Sequence, residues 1–198
     1  VRYEAAKQSV EAVQVFNTPT AVLASTALNK KYWLPSATIT WELADQMQFR
    51  VSGSKTIARP QFRELIFQTF FDPDSNRQYR GNPLLTDSQL YNAEARYEWY
   101  FDRDQRLSAA GFFKKIDKPI EAYSSFNDNS VVTSFANAPT AQLYGAEFEL
   151  QKYFDLSALS DKGFFSTRRL VLIANYTYSK SKISVKPGDP VAVFSASS

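Results

Sequence analysis

The chain has 198 residues, 23 of them basic and 20 acidic, for a formal net charge of +3. The charges are spread along the chain rather than gathered in a block, which leaves nucleic acid without an electrostatic footprint to grip. There is no Cys and no His, so disulfides, zinc-thiolate sites and the commonest general base are excluded. Aromatic content is 15%, with 16 Phe, 11 Tyr and 3 Trp, a composition that suits strands, and rings at a membrane interface, better than helices. No apolar run approaches the roughly 20 residues of a spanning helix.

The first segment, "VRYEA", alternates Val1, Tyr3 and Ala5 with Arg2 and Glu4, the period-two mark of a strand. It opens in mid-strand without a basic region or apolar core before it, which predicts a mature or truncated chain with no signal peptide. A long polar loop before Tyr32 is expected next. In "WLPSATITWEL" the residues Trp33, Ala37, Ile39, Trp41 and Leu43 fall on one parity and Ser36, Thr38, Thr40 and Glu42 on the other. After a tight connection at "ADQ", Met47, Phe49, Val51 and Gly53 oppose Gln48, Arg50, Ser52 and Ser54, completing a hairpin.

Residues 56–89, with Pro60, Pro73 and Pro83, read as a connection far longer than those of compact domains. "YNAEARYEWYF" then sets Tyr91, Ala93, Ala95, Tyr97, Trp99 and Phe101 against Asn92, Glu94, Arg96 and Glu98. The turn "DRDQ" leads to a strand with Leu107, Ala109, Gly111 and Phe113 on one side, followed by a second long polar loop. "QLYGAEFELQKYF" places Tyr144, Ala146, Phe148 and Leu150 opposite Gly145, Glu147, Glu149 and Gln151, and "RRLVLIANYTYSK" follows a shorter Ser/Asp/Gly connection. The tail "GDPVAVFSASS" reads as another loop.

Short and long connections therefore alternate, and antiparallel strands return every second connection to the same edge. About seven up-and-down strands of roughly 10 residues, long loops on one side and short turns on the other, describe part of a transmembrane β-barrel. Its apolar face touches lipid, and Trp41, Trp99, Phe101 and Phe154, all close to short connections, are the expected membrane-interface aromatics. Arg50, Glu94, Arg96, Glu98, Glu147 and Glu149 are the expected lumen-facing polar residues, since their charges need water or one another.

The order of motifs resembles the C-terminal barrel region of TonB-dependent outer-membrane receptors: "YWLPSATITWEL", "FRVSGSKTIARPQFREL", "RGNPLLTDSQLYNAEARYEWYF", "LSAAGFFKKIDKPIE" and "LYGAEFELQKYF". The chain departs from the pattern after "GNP", where a Lys-Pro pair is expected near Thr86 and Asp87. The resemblance implies a barrel of about 22 strands around an N-terminal plug, in the bacterial outer membrane, energised through the TonB protein. It implies uptake of a scarce bulky solute such as a ferric siderophore, a cobalamin or an oligosaccharide. Neither plug nor TonB box is read in the sequence, so a fragment of such a receptor is expected, bounded by residues 1–198. Its partners would be outer-membrane lipid, the plug and TonB through the rest of the receptor, and the small-molecule or oligosaccharide ligand.

Each candidate site is weighed against an ordinary structural role. Arg63, Tyr79, Arg80, Tyr123 and Phe126 in the long loops are the substrate-binding candidates, because loops on a rigid barrel carry recognition and rings with cations suit an anionic chelate or a sugar. "DPDSN" at 72–76 has the oxygen spacing that begins a calcium loop, but Arg77 stands where the Gly belongs and Pro83 where the Glu belongs, so no metal site is expected. Glu147 and Glu149 are read as a solvated wall rather than a glycosidase pair. Arg59-Pro60 is read as a strand end, and "NYT" at Asn175 lies inside a strand, which discounts glycosylation. No catalytic residue and no cofactor are expected. A soluble β-rich binding module, such as a carbohydrate-binding sandwich, is the alternative reading, and a membrane-embedded enzyme is disfavoured by the missing His.

Overall fold

The computed structural model describes residues 1–11, 26–127, 130–158, 163 and 167–185. The expectations for the first long loop and for the tail from 188 onward lie outside these residues. The strands run β1 Arg2–Val10, β2 Thr26–Leu34, β3 Ser36–Ala44, β4 Met47–Ala58, β5 Thr69–Asp72, β6 Arg77–Arg80, β7 Ser88–Asp102, β8 Gln105–Asp117, β9 Ile120–Asn127, β10 Ser130–Asn137, β11 Thr140–Asp155 and β12 Arg169–Ser184. One helical turn, α1 Phe62–Leu65, follows β4. No described helix is long and apolar enough to cross a membrane, which says nothing of strands.

Six strands form an antiparallel sheet in the order β12-β11-β8-β7-β4-β3. Only Pro35 separates β2 from β3. Proline has no N–H to give the ladder, yet its carbonyl still accepts the Lys55 N–H at 2.9 Å. The strand thus runs on past the break, and β2 pairs with β1 on its other edge. Counting β2 and β3 as one, the wall has seven up-and-down strands. The first two strands are longer than their alternation suggested: β1 reaches Val10, and the second begins at Thr26, not near Tyr32.

Both tight turns lie at one end. Gln46 (φ 66°) and Asp104 (φ 58°) take the left-handed conformation there, each as the single such residue of its turn, and the register shifts beside both, as in a bulged hairpin loop. The stretches 59–87 and 118–139 leave from the opposite end. The sequence reads both as long loops, but they contain strands. β5 and β6 form one hairpin and β9 and β10 another, and β6 and β10 join in parallel, giving a four-stranded sheet β5-β6-β10-β9. The second hairpin continues β8 and β11 in unbroken register through a waist where Lys118 N–H reaches Pro139 O (3.2 Å) and Ala138 N–H reaches Pro119 O (2.8 Å).

Burial identifies the outer medium. In a soluble sandwich the apolar parity of a sheet is covered by a second layer. Here Ile39 is 55% exposed, Trp41 46%, Phe148 41% and Tyr176 67%. Among the described residues the two large side chains that are fully buried, Leu65 and Leu85, belong to the 59–87 segment instead. Register aligns the exposed parity into rows such as Trp41–Phe49–Tyr97–Ala109–Phe148–Tyr176. An apolar surface of this extent is a lipid-facing one. The fold is all-β, a segment of a transmembrane up-and-down barrel.

Candidate functional site

The polar face of the wall is an ion-pair lattice built on two rows, Arg50–Arg96–Ala110–Glu147 and Gln48–Glu98–Ser108–Glu149. Arg50 and Arg96 stand directly opposite each other, an unfavourable pairing unless each finds an acid. Arg50 turns diagonally to Glu98 (3.6 Å), which also accepts Gln48 Nε2 at 2.6 Å. Arg96 bonds Glu94 (3.0 Å) on its own strand and Glu147 (3.3 Å) on β11. The latter bridge spans two strand spacings, about 9.5 Å, and is possible because the intervening residue is Ala110, which lies buried beneath it. Ser108 is buried in the same way, and Arg106 reaches Glu149 at 2.7 Å. All six residues singled out from the alternation share this face. Glu147 and Glu149 each answer an arginine, which explains their spacing without catalysis. Arg106 was missed, although its parity with Ser108 and Ala110 was the available signal.

Two motif glycines have steric reasons. A Cβ on Gly145 would strike the Phe112 ring at 2.6 Å and the Tyr178 carbonyl. A Cβ on Gly81 would strike Ile66 O, Ile66 N (2.7 Å) and Arg63 O (2.8 Å), all backbone atoms next to α1. Beside Gly81, Asn82 donates its Nδ2 to Phe135 O at 2.9 Å, while its Oδ1 accepts Leu84 N–H at 2.9 Å. Asn137 completes the knot. Its Oδ1 accepts Thr86 N–H at 2.8 Å, and its Nδ2 donates to Thr86 O (3.0 Å) and Lys118 O (2.8 Å). The "GNP" segment is thereby tied to the end of β10.

The residues departing from the family pattern are part of this knot. Asp87 is 4% exposed and faces Tyr32; burial, with the Asp87 carboxylate beside it, pushes the Tyr32 hydroxyl up to about 12. Nearby, Arg59 is paired with Glu4, and Arg2 lies 2.8 Å from the same carboxylate. The hydrogen bond from Arg59 holds Glu4 below the ordinary carboxylate range. Gln8 donates to Pro60 O at 2.8 Å. Arg59-Pro60 thus locks β1 against the end of β4, beyond the lipid-facing rows.

The loop candidates converge only in part. Tyr79 on β6 is stacked between Phe70 (5.8 Å) and Phe135 (6.2 Å). Arg80 and Tyr123 are both in register with Ser134, one from each side of β10, on the opposite face from Tyr79. The Arg80 guanidinium lies over the Phe67 ring at 5.2 Å, and its buried Nε–H has no acceptor among the described residues. Phe126 pairs with Val131 on β9; its side chain lies outside the described residues. Arg63 stands apart on α1, bonded to Gln61 Oε1 at 3.0 Å. "DPDSN" is the β5–β6 turn, in which Asp72 accepts Asp74 N–H (3.2 Å) and the Ser75 hydroxyl (2.8 Å). Among the described residues no group of three acidic side chains is placed to hold a metal.

At the turn end, Trp41 stacks on Phe49 (5.9 Å) and Trp99 meets Phe101 edge-on (5.2 Å). The Lys152 ammonium lies 4.6 Å over the Phe101 ring. Phe154, paired with Leu170, is 44% exposed.

A lipid-facing barrel wall, a charged inner face and long loops tied together above it define a receptor or transport barrel of the outer-membrane kind. The family model "TonB dependent receptor-like, beta-barrel" matches residues 1–194, and the chain belongs to that family, whose members are bacterial outer-membrane receptors. Comparison with curated sequences gives no match. Among solved structures it is similar to the siderophore receptor PirA from Pseudomonas aeruginosa, with TM-score 0.60 and 16% identity over 81% of this chain and 31% of that one. It is also similar to a mutant of the ferric enterobactin receptor PfeA from the same organism (TM-score 0.52, 17% identity, 78% of this chain and 24% of that). A third is a double mutant of the Serratia marcescens hemophore receptor HasR in complex with its hemophore HasA and heme (0.51, 14%, 76% and 27%). The chain spans about a third or less of the length of these receptors, and at such identities they share its fold.

Proposed function

We propose that the chain is a wall segment of an energy-coupled receptor in the bacterial outer membrane, whose loop sheet captures an anionic, bulky solute, with a ferric siderophore favoured over a cobalamin or an oligosaccharide. The observation that carries this reading is Arg80, a cation on the shared loop sheet with a buried Nε–H that has no acceptor among the described residues. A guanidinium beside aromatic rings is a recognition element for charged, ring-bearing ligands. Tyr123 lies in the same row, and the Phe70–Tyr79–Phe135 stack stiffens the sheet from its other face. PirA and PfeA, named as siderophore and ferric enterobactin receptors, agree with that choice of solute.

The polar wall then lines the lumen, where a plug supplied by the rest of the receptor docks against the Arg50–Glu98 and Arg96–Glu147 pairs. In the wall, Arg50, Arg96 and Arg106 are all engaged by glutamates. It therefore holds the plug by hydrogen bonds without trapping an anionic cargo. TonB engages the receptor outside this segment, and movement of the plug opens the path. Trp41, Trp99, Phe101 and Phe154 form the interface belt at the turn end.

Fluorescence titration of the intact receptor with a ferric tris-catecholate chelate, cobalamin and a linear oligosaccharide tests this. The chelate should bind, and Arg80→Gln should weaken it by about tenfold or more, as loss of a charged hydrogen bond does. Arg63→Gln should leave affinity within about twofold. Binding of the chelate unaffected by Arg80→Gln would refute the assignment.

A further inference from the structure

Beyond the aromatic rows, the lipid-facing parity carries a second pattern. Followed toward the loops, it passes from apolar side chains to lysine at a common height. On β4, Phe49, Val51 and Gly53 give way to Lys55; on β8, Ala109, Gly111 and Phe113 give way to Lys115; on β12, Tyr176 and Tyr178 give way to Lys180 and Lys182. Register puts Lys55, Tyr91, Lys115, Gln142 and Lys182 in a single row across β4, β7, β8, β11 and β12. Lys180 stands one row closer to the membrane centre, beside Tyr144. At the turn end the same parity offers only Lys152, already seated over Phe101.

Acidic neighbours do not account for the row. Asp117, one step further out, lies 3.0 Å from Lys115. Lys55 sits over the Tyr91 ring at 5.3 Å, and neither it nor Lys180 nor Lys182 has an ion-pair partner among the described residues. Ammonium groups on a lipid-facing parity avoid hydrocarbon by extending to the headgroup level. Neighbouring row cations sit two strands apart, about 9.5 Å, wide enough for separate phosphates, while Tyr91 and Gln142 supply hydrogen-bonding groups between them.

We infer that this row is a docking belt for phosphorylated lipid headgroups of the leaflet on the loop side. Four lysines with one carboxylate attract an anionic headgroup surface, and each adds about fivefold to the attraction near such a surface. The belt fixes the height of the barrel in the bilayer and sets the long loops above the headgroups. It uses no residue of the loop sheet, so it stands or falls separately from solute capture.

The test uses the intact receptor in phosphatidylcholine nanodiscs with and without bis-phosphorylated lipid A, with bound lipid counted by native mass spectrometry. The wild type should retain lipid A in a salt-sensitive manner. The quadruple variant Lys55→Gln, Lys115→Gln, Lys180→Gln, Lys182→Gln should lose about tenfold or more of that retention. The corresponding four Lys→Arg changes should preserve it, which separates charge loss from misfolding. Lys114→Gln, on the polar face of β8, is the control. Retention unchanged in the quadruple glutamine variant, an equal loss with Lys114→Gln, or displacement of lipid A by equimolar inorganic phosphate would overturn the inference.

Discussion

Replacing Asn137 by Ala severs four hydrogen bonds at once: from Thr86 N–H and, at 3.5 Å, from the Thr86 hydroxyl, and to Thr86 O and Lys118 O. The three shorter bonds are worth about 1 kcal/mol each net, and leaving the partly buried Thr86 N–H without an acceptor adds a similar amount, so local stability should fall by roughly 4 kcal/mol. That corresponds to about a thousandfold faster opening of the segment joining "GNP" to the start of β7, read by amide hydrogen exchange at Thr86 and Asp87 in the intact receptor. Asn137→Asp sharpens the test. It keeps the acceptor for Thr86 N–H but turns a carboxylate oxygen toward the Thr86 and Lys118 carbonyls, and should open the segment at least as much as Ala. Exchange in the transmembrane rows Trp41–Tyr176 should stay unchanged in both variants. If Asn137→Ala leaves exchange at Thr86 within twofold of wild type, or if Asn137→Asp is harmless, these bonds do not hold the knot and the reasoning fails.

Gly81→Ala drives a methyl group into the backbone of Ile66 and Arg63, and should destabilise the 59–87 segment by about 1–3 kcal/mol, seen as new protease nicking there but not at the tight turns. In the wall, a double-mutant cycle of Arg96→Met with Glu147→Gln should return a coupling of about 0.5 kcal/mol, small because the Glu147 side chain is 45% exposed. The readout is the thermal midpoint of heat-modifiable mobility on gels, and additive effects would show that the bridge over Ala110 contributes nothing. Tyr32 has its folded pKa raised above the ordinary 10.0 to about 12. Its contribution is therefore complete below pH 10 and lost as pH rises through about 12. Tyrosinate absorbance should show one late-titrating ring that Tyr32→Phe removes, and titration of every ring near 10 would contradict the burial of Tyr32 against Asp87.

The wall was legible because a strand with different media on its two faces must alternate, and β4 and β7 do so over most of their length, β11 from Tyr144 onward. The same parity revealed Arg50, Glu94, Arg96, Glu98, Glu147 and Glu149 as one face. It could not reveal their pairing, which depends on what stands between them: Arg96 finds Glu147 because residue 110 is alanine, a fact about a third strand. The loops were illegible for another reason. β5 and β6 are four residues each, too short to show a period, and β9 and β10 continue β8 and β11 past prolines that sequence reasoning takes as stops. The parallel contact of β6 with β10 joins residues over 50 apart and leaves no local trace.

That contact also bears on the solute capture proposed above. Two separate loops closing on a ligand would each lose their own conformational entropy on binding. Once β6 and β10 share a ladder through Val132–Gln78, Thr133–Tyr79 and Ser134–Arg80, the loops are ordered together beforehand, and Asn82 and Asn137 pin the sheet at the end where β6 and β10 finish. The ordering is borne by folding rather than by binding, the general route by which preorganisation raises affinity. On that proposal, Tyr123 and Arg80 meet a solute on one rigid face. It follows that Asn137→Ala, far from any ligand contact, should weaken chelate binding chiefly by slowing association, whereas Arg80→Gln should act chiefly by speeding release. Stopped-flow fluorescence distinguishes the two, and an Asn137→Ala receptor with unchanged association would mean that the loops do not need each other.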